Sequence, residues 1–481
     1  MQSRRDRVMA HNFTVGRLGT AMLEGDPDAV DAPMRRTRTG NYVGIGLGAL
    51  ICIGFLVVGL IFPGGATSWR QEGRIVIDRN GGATYLYAGG MLRPVANLAS
   101  ARLALGAGAT PSLVSQRSLE GETMGGPVGI AGAPDALPEG GAGDVWRLCA
   151  LEPGAGQDAQ RGRTALVVGE APPPWVAGPD AAFPVSGPDG TVYLLWQGMR
   201  LRLEESSGAL QSLGYGTSPV LPVSSAFLNA VPEGPDLAAP DVPGAGEEGR
   251  ELAGAPRLVG QVFAVSIPGQ DDQHYLLARE GLVPLTLTQA LLVLGDTGVS
   301  GPAYAGASPE PVPLPAAEVQ ADLAAEGAPT GAEGLPPAPP TALDAGRGVP
   351  CLRWEPDGSM ELTLDAPGTL QAWPVPEHPF VEPGCPTPDL VGIPSGRGGP
   401  VRARALAGSE AAPTYFVVTD AAAKYPVADA AALGALGYGE DEAVPLPTSL
   451  LRVLPTGPLL SQDAAVLPPV SSPPTGGSPC P

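Results

Sequence analysis

The side chains with the clearest chemical potential are cysteines, of which four lie beyond residue 62: Cys149, Cys351, Cys385 and Cys480. Outside the cytoplasm such thiols tend to be oxidised, and four cysteines allow three pairings. Cys149 and Cys351 each lie in a strand-like piece beside a tryptophan, which favours a disulfide across a central domain. Cys385 with Cys480 is the second predicted pair. Zinc is the rival interpretation, but the chain has no C-x-x-C spacing and its outer histidines are isolated.

Catalytic motifs are missing from the sequence. The one lysine, Lys424, is followed by Tyr425, so there is no phosphate-binding P-loop, which needs lysine before serine or threonine. There is also no G-x-S-x-G elbow and no H-E-x-x-H helix. His274 and His378 lack a neighbouring nucleophile or metal partner, and we interpret both as surface or structural residues. We therefore predict no catalytic, cofactor-binding or metal-binding residues.

Composition limits the classes of partner. The net charge is −21 and the pI is about 4.5, so most of the surface would repel the phosphates of nucleic acid. A hydrophobic content of 43% is ample for buried cores, whereas 68 glycines and 57 prolines indicate irregular connections between them. The composition predicts compact modules joined by loops, with no nucleic-acid partner.

One segment is suited to a lipid bilayer. No charged side chain occurs from Thr39 to Trp69, and the apolar run from Asn41 to Phe62 would span about 33 Å as a helix. It is too long for the core of a cleaved signal peptide, the alternative that Ala66-Thr67-Ser68 suggests. Seven arginines precede it: Arg4, Arg5, Arg7, Arg17, Arg35, Arg36 and Arg38. This asymmetry predicts a single-pass membrane protein with its N-terminus in the cytoplasm and roughly 410 residues on the other side of the membrane.

Two features near the membrane suit helix docking. Gly40, Gly44 and Gly48 recur at every fourth residue and would bare a stripe of backbone to another transmembrane helix, although glycine is common in such helices. In the cytoplasmic segment, an apolar face combines Val8, Val15, Leu18 and Met22. That face could dock on a cytoplasmic protein or rest on anionic lipid headgroups, and the sequence does not separate the two.

Beyond the membrane, four segments share one pattern, in which a tyrosine opens a short strand and a Leu-Gly pair ends a helix. They are Tyr85–Gly106, Tyr193–Gly214, Tyr275–Gly295 and Tyr415–Gly437. Each predicts a hairpin followed by a helix, with a capping residue at the start of the helix, such as Asn97, Thr286 or Thr288, and Asp429. Such a unit is too small to bury a core alone, so we expect it to pack on neighbours or on a central sheet.

The expected fold is therefore a single transmembrane helix followed by a mixed α/β outer region, with a central β-rich core and four inserted hairpin-helix repeat domains. Core strands are predicted at 165–168, 258–265, 352–354, 361–364 and 401–406. The predicted boundaries are a cytoplasmic arm at 1–38, the transmembrane helix at 39–63, repeat units at 64–145, 186–240, 269–328 and 409–465, core segments at 146–185, 241–268 and 349–408, a Pro/Ala/Gly-rich linker at 329–348 and a disordered tail at 466–481.

Several stretches of the sequence together resemble the EccB family, component B of the type VII (ESX-type) secretion system of actinobacteria. They are QSRRDRVMAHNFTVGRL, RPVANLASARLALG, PVGIAGAPDALP, FLNAVPEGPDL, CLRW at 351–354 and LLRVLPTGPLLS. The resemblance covers nearly the whole chain in order. It departs from the family in the Ala/Pro-rich insertion after the third repeat and in Cys385 and Cys480.

The resemblance implies a structural subunit of a secretion complex, held with other Ecc components in the inner membrane, with its outer part in the periplasm. Self-association is a further possibility that the glycine stripe suggests. The resemblance also implies four α/β repeat domains around a central β core, with a core disulfide at Cys149 and Cys351. The family is sometimes described as an ATPase, so a secretion-associated ATP hydrolase with ATP as its cofactor is the alternative. We favour the structural role, because a hydrolase would need a phosphate cradle that the sequence does not display.

Overall fold

A computed structural model describes residues 4–25, 34–61, 67–139, 145–153, 162–169, 175–205, 207–324, 333–344, 346, 348–355, 357, 359–366, 368–404 and 414–470. Internal contacts divide the chain into two units. One comprises 1–69 with the short stretches 78–81 and 114–121, and the other comprises 70–77, 82–113 and 122–481.

Two helices open the chain: α1 (Arg4–Glu24) and α2 (Met34–Ile61). Within α2, the stretch Thr37–Gly59 has a mean hydropathy of 2.3 and is long and apolar enough to cross a membrane. The helix begins before the predicted start at residue 39, because no proline or glycine interrupts the arginine-rich stretch from Met34 to Thr39. Residues 62 and 63, at the predicted end, lie outside the described residues.

The first half of the outer region contains two small sheets and part of a larger one. The first small sheet and its helices are β1 (Arg74–Asp78), β2 (Thr84–Ala88), β3 (Met91–Pro94), α3 (Leu98–Leu105), β4 (Pro111–Val114) and α4 (Gln116–Leu119). Three strands of the larger sheet follow: β5 (Trp146–Leu151), β6 (Arg163–Val168) and β7 (Trp175–Val176). The second small sheet and its helices are β8 (Ala181–Ser186), β9 (Val192–Trp196), β10 (Met199–Arg202), α5 (Ala209–Ser212), β11 (Leu221–Pro222) and α6 (Ser225–Ala230).

The second half begins with the hairpin of β12 (Glu248–Leu252) and β13 (Ala255–Leu258). A third small sheet and its helices are β14 (Val262–Val265), β15 (Gln273–Ala278), β16 (Gly281–Leu285), α7 (Leu287–Gly295), α8 (Thr297–Ala303), β17 (Val312–Pro313) and α9 (Ala316–Asp322). Then come β18 (Thr341–Ala342), β19 (Val349–Trp354), β20 (Met360–Asp365) and β21 (Leu390–Gly392). A fourth small sheet with its helices ends the described chain: β22 (Gly399–Arg404), β23 (Tyr415–Thr419), β24 (Ala423–Val427), α10 (Ala430–Leu436), β25 (Val444–Pro447), α11 (Thr448–Val453) and α12 (Gln462–Ala465).

The four small sheets share one strand order. They read β3-β2-β1-β4, β10-β9-β8-β11, β16-β15-β14-β17 and β24-β23-β22-β25, with β18 added beside β8. In each, the tyrosine-to-glycine segment supplies a hairpin and the helix that follows it. In the second to fourth sheets the last strand pairs parallel to the first. Each sheet therefore has four related strands, two more than the predicted hairpin supplies.

The capping predictions are confirmed by side-chain contacts. Asn97 Oδ1 accepts from the Ser100 N–H at 2.9 Å, and Asp429 Oδ1 accepts from the Ala432 N–H at 2.7 Å. Thr286, rather than Thr288, caps α7. These bonds satisfy backbone donors that the first turn of a helix leaves free, so each hairpin is followed by a helix with a defined start.

The central sheet has six strands in the order β21-β6-β5-β19-β20-β7. The predicted core strands at 165–168, 352–354 and 361–364 lie in it. The other two assignments to the central sheet are wrong. The segment 258–265 contains the end of β13 and all of β14, and the segment 401–406 begins within β22. β14 and β22 are the first strands of the third and fourth small sheets, and β8 at the end of the predicted core segment 146–185 belongs to the second. A short apolar strand has the same pattern in either kind of sheet.

Both faces of the central sheet are buried. Trp146, Leu148 and Leu352 on one face join a large apolar cluster that contains Phe227 of α6 and Leu451 of α11. On the other face a smaller cluster contains both disulfide cysteines together with Ala165 and Val167. Because the sheet is covered on both sides, it encloses polar side chains as well as apolar ones.

Helices join the small sheets in pairs. α3 packs on α10, α5 packs on α7, and α6 packs on α11. Part of the predicted linker at 329–348 makes specific contacts, because β18 pairs with β8 and the Tyr215 hydroxyl donates to the Pro340 carbonyl at 2.7 Å. Tertiary contacts of this kind hold a Pro/Ala-rich segment that composition alone would leave flexible.

Candidate functional site

The disulfide between Cys149 and Cys351 lies at the centre of the six-stranded sheet. The register of antiparallel β5 and β19 places the two residues directly opposite each other, with their Cα atoms 4.0 Å apart. Both side chains are fully buried. The predicted pairing is confirmed, and it connects two strands that are 202 residues apart in the sequence.

A buried ion pair accompanies the disulfide. The side chains of Arg147 and Asp365 are 2% and 3% exposed, and Arg147 Nη1 donates to Asp365 Oδ2 at 2.5 Å. The Thr363 hydroxyl donates to the other carboxylate oxygen, Oδ1, at 3.1 Å. Burying two charges is costly unless each is paired, so the guanidinium and the carboxylate depend on each other. Arg147 Nε is buried without a hydrogen-bond partner. The Asp365 carboxylate is therefore the main group that offsets the cost of burying the guanidinium.

The sequence prediction did not include this pair. Arginine within the otherwise apolar strand WRLCAL and aspartate at the end of MELTLD were the available signals. Nothing in either strand shows that the two side chains meet, because the strands come together only through β19 between them.

The two cysteine sulfurs and the Asp365 carboxylate form a cluster of atom types that can bind a metal ion. Cys149, Cys351 and Asp365 offer ligand atoms that all lie within 4.8 Å of one another. The two sulfurs are bonded to each other, however, and the carboxylate is bonded to Arg147 and Thr363. The donor set is therefore occupied by protein groups and does not fit a metal ion.

Cys385 is also disulfide-bonded. Its predicted partner, Cys480, lies outside the described residues, so that pairing stays a prediction. Among the described cysteines Cys52 is free, and it is exposed on α2.

Lys424 is a buried cation outside the central sheet. Its ammonium group donates to the Leu454 carbonyl at 2.7 Å and to the Thr456 hydroxyl at 2.5 Å, so it ties β24 to the segment that follows α11. Burial lowers its pKa from 10.5 to about 8, because removing the ammonium from water disfavours the charged form.

This burial predicts a pH-dependent stability. Between about pH 8 and 10.5 the unfolded chain retains a proton that folded Lys424 has released, so stability contributed at this site should rise with pH across that window. Relative to Lys424→Met, the wild-type protein should gain up to about 1.4 kcal/mol per pH unit there. Urea unfolding of both proteins at pH 7.5, 8.5 and 9.5 measures the difference. Parallel pH profiles for the two proteins would contradict the assignment.

The predicted docking residues lie on the two N-terminal helices. Val8, Val15, Leu18 and Met22 are all more than half exposed on α1. On α2, a Cβ added at Gly40, Gly44 or Gly48 would meet no atom within 4 Å. Both sets are exposed in the single chain, as are the other residues of Thr37–Gly59 in α2, so their predicted role in docking stays a prediction.

The sequence of the chain matches a known family. A family model described as type VII secretion system ESX-1, transport TM domain B, matches residues 1–470. The chain belongs to this family, EccB. The match includes both N-terminal helices and the described outer region, and α2 contains the one helical stretch of the described residues that is long and apolar enough to cross a membrane.

A curated relative has a similar length. The ESX-3 secretion system ATPase EccB3 of Mycolicibacterium smegmatis is 28% identical over 500 residues, which is 96% of this chain and 90% of that protein.

Solved structures share the fold. The structure of the EccB3 dimer from the ESX-3 core complex has a TM-score of 0.62 at 25% identity, covering 82% of this chain and 99% of that one. A chain of the intact ESX-5 inner membrane complex has a TM-score of 0.60 at 24% identity, covering 100% and 98%. The predicted mixed α/β fold behind one transmembrane helix is confirmed.

Proposed function

We propose that this protein is a structural subunit of a type VII protein secretion complex in the inner membrane. Its N-terminal arm and transmembrane helix hold it in the complex, and its periplasmic region mediates assembly or gating. The observation that carries this proposal is the pair of exposed helix faces at the N-terminus, in a protein that belongs to the EccB family.

The first face belongs to α1, whose residues from Arg4 to Thr20 are almost all exposed. A lone helix with apolar side chains directed to solvent gains little stability from its own sequence and is stabilised by packing on something else. Val8, Val15, Leu18 and Met22 share one side of it, with the spacing of a contact surface. We assign this side to a cytoplasmic partner among the other Ecc components.

The second face is the glycine stripe of α2. Helices in a bilayer gain no hydrophobic free energy from association, so close backbone approach at small residues is a main source of their contact energy. Gly44 and Gly48 bare one strip of the helix for such an approach. We assign this strip to a neighbouring transmembrane helix, either of another Ecc component or of a second copy of this chain.

The outer region suits a rigid spacer. Its small sheets are joined through paired helices, and the central sheet is covalently closed by a disulfide. The neighbouring structures are named as an EccB3 dimer of an ESX-3 core complex and as an ESX-5 inner membrane complex. These names support assembly with itself and with other membrane subunits as this chain's function too.

Assembly should fail when the two N-terminal faces are altered. Replacing Gly44 and Gly48 with leucine adds bulk at the stripe while keeping the span apolar, and changing Leu18 and Met22 to aspartate places charge on the α1 face. Co-purification with the other membrane subunits should fall at least about tenfold, since losing about 1.4 kcal/mol of contact energy has that effect. Quantitative mass spectrometry of the purified complex measures it, together with secretion.

The matched controls are leucine at Gly46, which is two residues from both Gly44 and Gly48 and therefore on the opposite side of α2, and aspartate at Thr20, which is on the opposite side of α1 from Leu18 and Met22. Membrane levels of every variant are compared, so that degradation is not mistaken for lost assembly. Wild-type subunit ratios and secretion in all the stripe and arm variants would show that the N-terminal docking proposal is wrong, and would move the assembly contacts to the outer region.

Relatives bear the name ATPase, so hydrolysis is the second candidate function. The chain's one lysine does not support it, because Lys424 is 6% exposed and its ammonium is bonded to Leu454 and Thr456. A lysine held this way cannot contact a nucleotide without breaking both bonds. We expect phosphate release from ATP by the purified protein to equal the buffer rate and to be unchanged by Lys424→Met. Release above that rate that follows the protein through purification would favour the enzyme.

A further inference from the structure

An apolar groove of about 480 Å³ opens on the outer region beside α12. We call it the C-terminal groove. Its wall comprises side chains from three separate stretches of chain, among them Ile130, Phe380, Thr456, Pro458, Leu467 and Val470. Most of this lining is aliphatic or aromatic, and Glu382 is its one charged residue. An apolar recess of this size suits an uncharged segment of peptide.

The last residues that the structure describes run along the rim of this groove. α12 packs on α3, and the Leu467 carbonyl accepts from the Gly129 N–H at 2.9 Å. Leu467 and Val470 line the groove and are 57% and 72% exposed. Eleven further residues, 471–481, follow Val470 in the sequence. The groove therefore begins where the last segment of the chain begins.

A second attachment point lies close by. Glu382 and Thr456, both in the groove wall, exchange two backbone hydrogen bonds of 2.8 Å, and the Cys385 N–H donates to the Arg452 carbonyl at 2.9 Å. Cys385 is disulfide-bonded. The chain has five cysteines, of which Cys52 is free and Cys149 is joined to Cys351, which leaves Cys480 as the partner within this chain.

We propose that the C-terminal groove is the docking site of the chain's own residues 471–481, held there by a disulfide between Cys385 and Cys480. The ten residues from 471 to 480 reach at most about 33–36 Å. Val470, which precedes them, lines the groove, and Cys385 follows the wall residue Glu382 by three positions. The sequence of these ten residues, SSPPTGGSPC, contains no charged side chain, so docking desolvates no ion. Its prolines restrict the free segment and reduce the entropy lost on docking.

Tethering gives this occupant an advantage over any other peptide. A segment fixed at both ends is present at its site at an effective concentration in the millimolar range, so weak apolar contacts suffice to fill the groove. The occupant that competes with it is the same segment of a second copy, which would form the disulfide between two chains.

The test uses the full-length protein in lipid nanodiscs without reductant. Peptide mapping should recover Cys385 joined to Cys480, and the protein should run as a monomer on a non-reducing gel. Hydroxyl-radical labelling read by mass spectrometry then reports the access of water to Phe380 and Leu467. Truncation after Val470 should raise their labelling at least about twofold, and Cys480→Ser should raise it by less, because the segment remains attached at one end.

Cys52→Ser is the matched control, since it removes a free cysteine far from the groove in sequence, and it should change neither result. A synthetic peptide of residues 471–481 with serine at position 480 should restore protection to the truncated protein when added in excess. Unchanged labelling after truncation would overturn the proposal. A covalent dimer linked through Cys385 and Cys480 would also overturn it and assign the groove to a second copy.

Discussion

Replacing Asp365 with alanine should destabilise the central sheet by about 3–5 kcal/mol, because the substitution leaves the Arg147 guanidinium buried without its counter-charge. Both side chains are almost fully buried, and Asp365 is the acid paired with Arg147 in the described part of the chain. Thr363 would also lose the acceptor of its hydroxyl hydrogen bond. Hydrogen exchange at the backbone amides of β5, β19 and β20 measures the free energy of opening at this position directly.

The cost should come from the unpaired charge rather than from lost attraction. Replacing both partners, with Arg147→Met and Asp365→Leu, should therefore recover most of the stability, since a buried pair often contributes little more than apolar residues of similar volume. Glu247→Ala provides the matched control, because it breaks the exposed pair with Arg279 and should cost less than about 1 kcal/mol. If Asp365→Ala costs no more than this control, the pair is not a structural requirement.

The sequence was most informative where structure is local. The sequence predicts Asn97, Asp429 and either Thr286 or Thr288 as helix caps, because a capping bond joins residues three apart. The structure contains the bonds of Asn97, Asp429 and Thr286. The transmembrane helix was recognised for a similar reason, since its length and lack of charge are properties of one continuous stretch.

Assignments that depend on distant strands were less accurate. β14 and β22 were placed in the central core, although they are the first strands of small sheets. Each lies before the tyrosine that marks its repeat, and its partners are set by strand pairing that composition does not encode. The hairpins were found because their two strands are neighbours in the sequence.

The disulfide of the site could be predicted from the sequence, whereas the buried ion pair could not. Cys149 and Cys351 could be predicted because cysteines outside the cytoplasm have few chemical roles. A tryptophan near each cysteine also indicated that both lie in strands of one core. Arg147 and Asp365 had no comparable signal, since charged residues occur throughout the chain and most are exposed. Their pairing follows from the sheet order, in which β19 separates β5 from β20.

Removing the central disulfide should have an effect as large as that of breaking the ion pair. Cys149→Ala with Cys351→Ala releases a loop of about 200 residues, for which the chain-entropy model gives about 5 kcal/mol. The loop contains the second and third small sheets entire, since β8 to β18 lie between the two cysteines. We expect faster hydrogen exchange in β5 and β19 and a lower urea midpoint for the purified protein.

Cys52→Ser is the control for the loss of a cysteine, because Cys52 is free and exposed. The ion pair supplies a further check, since the Thr363 hydroxyl lies within hydrogen-bonding distance of both the Cys351 carbonyl, at 3.4 Å, and Asp365. Residues that share such a partner are coupled, so the costs of removing the disulfide and the Asp365 carboxylate should not add. Alkylation of Cys149 and Cys351 without reductant would refute the disulfide. Additive costs would instead show that the bond and the ion pair stabilise the sheet independently.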